Sequence, residues 1–225
     1  MKPDRWIAGA CLGIVILGMI RPAWAQSFRD DFDGTALNTA VWSVNAGDGQ
    51  VVVGSGVVSV FGPGGAFPVV TTLQDPFPSG DFRLKVGMRY TAQNMCGDGF
   101  GAMDNFWDNY FHGIACRPFL LWQDNGGLYV YTGSATPVPL AGPPETGYHL
   151  YEWDYVDGQY LFRMDGEVRA NGGCAPRATQ IFFGHPQPRG CSAWTSFEID
   201  FIEITRIEAT PTRGRTWGGL KLVYR

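Results

Sequence analysis

Three carboxylates stand within nine residues of one another in Ser196-Phe-Glu-Ile-Asp-Phe-Ile-Glu-Ile204. The stretch alternates polar and apolar residues with the period of two of a β-strand. Phe197, Ile199 and Phe201 read as its apolar side, and Glu198 and Asp200 as its acidic side. Glu203 falls on the opposite face from these two acids unless a bulge intervenes. Two carboxyl groups about 5 Å apart can cleave a glycosidic bond, one as acid/base and the other as nucleophile. A single carboxylate among backbone carbonyls can instead hold a calcium ion. A solvent-facing strand needs neither chemistry.

A second group of residues suits binding. Between Cys96 and Tyr131 the chain interleaves aromatics (Trp107, Tyr110, Trp122, Tyr131) with Asp104, Asn105, Asp108 and Gln123. Sugar rings present an apolar C–H face and a rim of hydroxyls. Flat aromatics take the first, and amides and carboxylates the second. Trp107 and Tyr110 lie in the stretch richest in Asp and Asn. Most of the remaining aromatics, Trp42, Trp153 and Trp194 among them, read as core.

The elements that must position these groups are β-strands. Gly and Pro, 31 and 15 in number, punctuate the chain between short runs of β-branched and aromatic residues, the texture of an all-β sandwich or jelly roll. Strands are expected at Phe28 to Phe32, Val51 to Val53, Val57 to Phe61 and Val69 to Leu73. Asp81 to Thr91 alternates, with Phe82, Leu84, Val86 and Met88 on one face. Further strands are expected at Leu128 to Thr132, Tyr148 to Tyr155, Tyr160 to Met164, Glu167 to Ala170, Ile181 to Phe183 and Phe197 to Ile204. No long helix is supported, and Ala102 to Phe111 reads as loop.

Residues 1–25 read as a secretory signal peptide. Lys2 and Arg5 precede an apolar run from Trp6 to Ile20, and Ala23-Trp-Ala25 gives a small-x-small cleavage site. That run is short of the roughly 20 residues a membrane span needs, and no later segment resembles one. Residues 26–208 form one domain, and 209–225 a basic tail. The whole chain carries a net charge of -4, and removing three basic residues and one acidic residue with the signal leaves about -6. An acidic chain without a basic stripe excludes nucleic acid as the expected partner. Four cysteines remain, Cys96, Cys116, Cys174 and Cys191, an even number that predicts two disulfides in an exported protein. Three pairings are open. The sequence-adjacent one, in which each bridge encloses one loop-rich segment, is the expectation. No Cys-x-x-Cys occurs, and His112, His149 and His185 are scattered, which argues against zinc.

Several motifs, taken in order, resemble the concanavalin A-like lectin/glucanase superfamily, which includes glycoside hydrolase family 16 and laminin-G-like jelly rolls. Phe28 to Trp42 looks like the family's opening, an acidic strand leading to a Trp. Tyr148-His-Leu-Tyr-Glu-Trp-Asp-Tyr155 with Tyr160-Leu-Phe-Arg-Met-Asp-Gly-Glu-Val168 looks like its late hairpin, and Gln180 to Gly184 and Phe197 to Ile204 match its last two strands. The string Glu-Ile-Asp-Phe-Ile-Glu203 resembles the catalytic signature of the family's laminarinases and lichenases. In those enzymes the signature sits on a central strand before the His-x-Tyr hairpin, whereas here it follows that hairpin. The region Phe106 to Trp122, where the catalytic strand is expected, contains no Glu. The resemblance also implies a structural Ca²⁺, held by Asp200 with backbone carbonyls from Asp31 and Gly56.

These readings converge on an exported, disulfide-bonded jelly roll at the cell surface, in the periplasm or outside the cell. It is expected to bind a polysaccharide or other glycan without cleaving it, through Trp107, Tyr110, Trp122, Tyr131, Asp104 and Asn105. Two alternatives stand beside this: a β-glucan hydrolase using Glu198, Asp200 and Glu203, and an extracellular adhesion module that binds protein.

Overall fold

The computed structural model describes residues 27–62, 68–91, 98–103, 118–122, 128–132, 138–140, 147–173, 177–184 and 195–208. Among them are fifteen strands and no helix. In chain order these are β1 (Ser27–Asp30), β2 (Trp42–Asn45), β3 (Gln50–Gly54), β4 (Val57–Gly62), β5 (Val69–Thr72), β6 (Phe82–Tyr90), β7 (Asp98–Met103) and β8 (Pro118–Trp122). Then come β9 (Leu128–Thr132), β10 (Val138–Leu140), β11 (His149–Val156), β12 (Gln159–Met164), β13 (Glu167–Gly173), β14 (Gln180–Gly184) and β15 (Thr195–Arg206).

The strands form two antiparallel sheets. One has eight strands, ordered β13-β12-β11-β6-β15-β4-β3, with β1 added beside β15; the other has seven, ordered β10-β9-β8-β7-β14-β5-β2. Short turns close the hairpins because their residues tolerate positive φ. Ser55-Gly56, Asp157-Gly158 and Asp165-Gly166 all place both turn residues there, as a type I′ turn requires.

Alternation sends one face of each sheet into a shared core. Phe82, Leu84, Val86 and Met88 from β6 meet Tyr151, Trp153, Ile199, Ile202 and Ile204, and from the other sheet Phe100, Val130, Ile181 and Phe183. The expected alternation of β6 is therefore present, and the strands expected between Phe28 and Ile204 all form within a few residues of their expected bounds. Four strands were not anticipated: β2, β7, β8 and β10. Trp42 is buried in the core, where its Nε1 donates to Asp30 Oδ2 at 2.7 Å. Trp153 is buried too, while Trp194 lies outside the described residues.

Candidate functional site

β15 contains a bulge. Ile199 pairs with Met88 and Phe201 with Gly87, so Asp200 is an extra residue with no partner on β6. One added residue reverses the facing of everything after it. Phe197, Ile199, Ile202 and Ile204 all point into the core, whereas Phe201 joins Glu198 and Glu203 on the outer face. The expected grouping of Phe201 with Phe197 and Ile199 is thus corrected, and the bulge on which the facing of Glu203 depended is present.

Sharing a face does not make the two glutamates a catalytic pair. Glu198 stands level with Arg89 and Glu203 with Lys85, four residue steps apart along β6. At 3.3 Å per residue that is about 13 Å, beyond the roughly 5 to 9.5 Å over which two carboxyls serve one glycosidic bond. Both are also occupied. Glu198 accepts from Arg89 Nε at 2.8 Å and from the Tyr148 hydroxyl at 3.0 Å. Glu203 accepts from Arg29 Nη1 at 2.5 Å. The guanidinium of Arg29 lies 4.8 Å from the centre of the Phe201 ring, and that of Arg89 lies the same distance from Tyr148. Burial, together with the hydrogen bond to Glu198, pushes the Tyr148 hydroxyl up to about 12.

The bulge falls at a junction. β4 pairs with Thr195 to Ile199 of β15 and β1 with Ile202 to Thr205. Asp200 and Phe201 occupy the gap between them. The chain leaving β1 through Asp31 and the chain entering β4 through Gly56 therefore both reach the exposed Asp200. The Asp31 carboxylate is turned to Arg29, which holds it below its usual range by hydrogen bonding, so its backbone carbonyl is the group left for an ion. These are the three residues that the family resemblance implies for Ca²⁺, and among the described residues no cluster of three or more His, Cys, Asp or Glu side chains stands there.

The outer face of the seven-stranded sheet has a different character. Val69, Met103, Tyr131 and Phe182 form a second apolar cluster there, each no more than 5% exposed, with Tyr129 packed against it. They alternate along their strands with core residues Val70, Ala102, Val130, Ile181 and Phe183. β8 lies among these strands, and its sequence Pro-Phe-Leu-Leu-Trp122 carries no carboxylate. Sequence reasoning placed Tyr131 in the site but missed Val69, Met103 and Phe182. The available signal was the unbroken apolar runs Val69-Val70 and Ile181-Phe182-Phe183, which mark strands buried on both faces.

The other expected binding residues distribute as follows. Trp122 ends β8 in the register row of Leu128, a core residue, and its side chain lies outside the described residues. Trp107, Tyr110, Asp104 and Asn105 also lie outside them, as do Cys96, Cys116, Cys174 and Cys191. His149 is structural in its contacts: its Nδ1 is 2.7 Å from Asp165 Oδ2.

No family model and no curated protein sequence matches the chain. Solved structures do. An endo-acting O-glycanase expressed by members of the human gut microbiota superposes with a TM-score of 0.57 at 17% identity, over 80% of this chain and 99% of its own. The β-glucanase of Bacillus licheniformis gives 0.55 at 15% identity, over 80% and 98%. The laminarinase catalytic domain of Thermotoga maritima gives 0.60 at 10% identity, over 81% and 98%. At these identities the likeness is one of fold, and the fold is the concanavalin A-like jelly roll.

Proposed function

We propose that this protein is an exported, non-catalytic glycan-binding domain whose ligand lies across the outer face of the seven-stranded sheet. The observation that carries the reading is the makeup of that face. Tyr129 is the partly exposed aromatic of that face, packed on the buried Met103, Tyr131 and Phe182, and no described side chain of that sheet is a carboxylate. Glycan is favoured over other ligands because proteins of the same fold include a glucanase, a laminarinase and an O-glycanase. Binding is favoured over hydrolysis because Glu198 and Glu203 belong to the other sheet, far apart and each paired to an arginine. Trp107, Tyr110, Asp104 and Asn105 complete the proposed contacts, whereas Trp122, in the row of the core residue Leu128, is left out of them.

The test is to incubate the purified protein with a panel of β-glucans and mucin-type glycans, following both retention and reducing ends. Retention without new reducing ends is expected. Replacing Tyr129 or Trp107 by Ala should weaken retention about tenfold, the scale of one aromatic contact, without unfolding the domain. Sugar release abolished by Glu198→Gln overturns the binding reading in favour of a hydrolase. No retention on any glycan overturns it in favour of a protein-binding adhesion module.

A structural Ca²⁺ held by Asp200 and the carbonyls of Asp31 and Gly56 belongs to the same proposal. It would tie the end of β1 and the start of β4 to β15 and take no part in chemistry. Calcium is expected to raise the melting temperature and chelator to lower it. Asp200→Ala should abolish that difference, and a melting temperature indifferent to chelator in the unmodified protein removes the ion from the proposal.

A further inference from the structure

The strands on either side of each cysteine segment fix where the chain enters and leaves it, and those ends sort the four cysteines into two pairs. We propose that disulfides join Cys96 to Cys191 and Cys116 to Cys174, a nested pairing in place of the sequence-adjacent one.

At one end of the sandwich β6 finishes at Tyr90, which pairs with Phe197 near the start of β15. β7 begins at Asp98, and its Gly99 pairs with Gly184 at the end of β14. The connection from Tyr90 to Gly99 and the connection from Gly184 to Phe197 therefore join the same two paired positions. Cys96 belongs to the first and Cys191 to the second, each six residues from its member of the Tyr90/Phe197 pair.

The other two cysteines belong to the opposite end. β7 finishes at Met103, level with Gln180 at the start of β14, and the amide of Thr179 donates to the Met103 carbonyl at 2.9 Å. The chain re-enters the sheet at Pro118, which pairs with Thr132 of β9. The carbonyl oxygen of Thr132 lies 2.2 Å from where a Cβ on Gly172 would sit, so β9 and β13 touch there and only glycine fits. Cys116 is two residues before Pro118, and Cys174 is two residues after Gly172. Both anchors meet at Thr132.

The alternatives join opposite ends. A Cys174–Cys191 bridge has to connect Gly173 with Thr195. Gly173 lies one step beyond the row of Phe82, Tyr155 and Tyr160, and Thr195 lies beyond the row of Tyr90 and Phe197. With β12, β11 and β6 between β13 and β15, the anchors are on the order of 40 Å apart at 3.3 Å per residue and 4.8 Å per strand. Four residues from Thr195 and one from Gly173 reach about 18 Å at full extension, and a disulfide needs Cα atoms within about 7 Å. The remaining arrangement, Cys96–Cys174 with Cys116–Cys191, crosses between the ends twice.

Each bridge forms when two thiols lose two protons and two electrons. The electrons pass to a protein or small-molecule disulfide of the export compartment, which leaves as two thiols. The products tie the two sheets together at one end and the two connections at the other.

Peptide mapping of the full chain, secreted into an oxidising compartment and alkylated at acid pH, tests the pairing. Digestion needs trypsin together with an Asp-specific protease, because no Lys or Arg separates Cys96 from Cys116. Non-reduced mass spectrometry should show the Cys96 peptide joined to that of Cys191, and the Cys116 peptide joined to that of Cys174. Any other partner for Cys96, or four alkylated thiols, overturns the proposal. As a second readout, Cys96→Ser, Cys191→Ser and their double variant should each lower the melting temperature by the same amount, roughly 10 °C. Losses that add in the double variant overturn the Cys96–Cys191 bridge. Should these variants fail to fold, the map of the unmodified chain decides alone.

Discussion

Asp154 carries the most consequential side-chain contacts of the eight-stranded sheet. It is 5% exposed, receives Arg83 Nε at 2.5 Å and Nη2 at 2.9 Å, and also pairs with Arg163. Burial pushes its carboxyl up, but the hydrogen bonds from the two arginines more than offset this and hold it below the usual carboxylate range. A group whose folded pKa is depressed contributes stability that is present above its unfolded pKa, near 3.9, and lost as pH falls through the folded value. Asp154→Asn, which takes the carboxylate from Arg163 and leaves Arg83 only Glu152 at 4.0 Å, should cost about 2 to 3 kcal/mol in urea melts at pH 7. That is less than a fully buried pair because both arginines reach solvent. The difference between variant and parent should shrink below pH 4. Tyr151 behaves in the opposite sense. Its hydroxyl is buried with no hydrogen-bond partner among the described residues, and burial raises its pKa. Tyr151→Phe removes an unsatisfied group while keeping the ring, so the midpoint should stay level or rise by up to about 1 kcal/mol. A loss of 2 kcal/mol or more would mean that the hydroxyl has a partner.

The element that most changes the functional reading is β15. Glu-Ile-Asp-Phe-Ile-Glu was legible as a strand and, from its place after the β11–β12 hairpin, as a closing strand. Its bulge was legible too, in a detail that simple alternation overlooks. Core residues recur at 197 and 199 and then at 202 and 204, and the odd step from Ile199 to Ile202 demands one extra residue. Strands with clean alternation or I′ turns, such as β6, β11 and β12, were readable because one face is buried and the turn residues are diagnostic. β7, with Gly99 and Gly101, and β8, with Pro118, were not, since glycine and proline ordinarily mark strand ends. The bulge also explains a glycine. Phe201, turned outward, lies over Gly87, and a Cβ there would stand 2.7 Å from its ring. Gly87→Val should destabilise by about 1 to 3 kcal/mol through this overpacking. Shrinking the ring with Phe201→Ala should recover part of the loss. A double-mutant cycle in thermal or urea melts measures that coupling, and additive losses would show that the two positions do not touch.

At the scale of the whole molecule the two outer faces divide the work. The eight-stranded sheet presents ion pairs, with Arg29, Arg83, Arg89 and Arg163 each matched to an acid. The seven-stranded sheet carries the buried apolar cluster around Phe182 and Tyr131, with the partly exposed Tyr129 packed against it. A catalytic-looking string thus ends up on the charged face because chain order, not local sequence, decides which sheet a strand joins. Chain order also governs how the fold closes. β15, the last of the described strands, sits between β6 and β4 inside the eight-stranded sheet and carries β1 against its second half. Three elements from the first half of the chain therefore wait for the final one, and without it β6 loses the hydrogen bonds along one edge. Such non-local pairing places folding in the millisecond-to-second range. A chain ending after Trp194 should show no cooperative thermal transition, whereas one ending after Glu208 should melt within a few degrees of the full chain. A cooperative transition in the shorter chain, followed by circular dichroism, would mean that β15 completes a fold already formed without it.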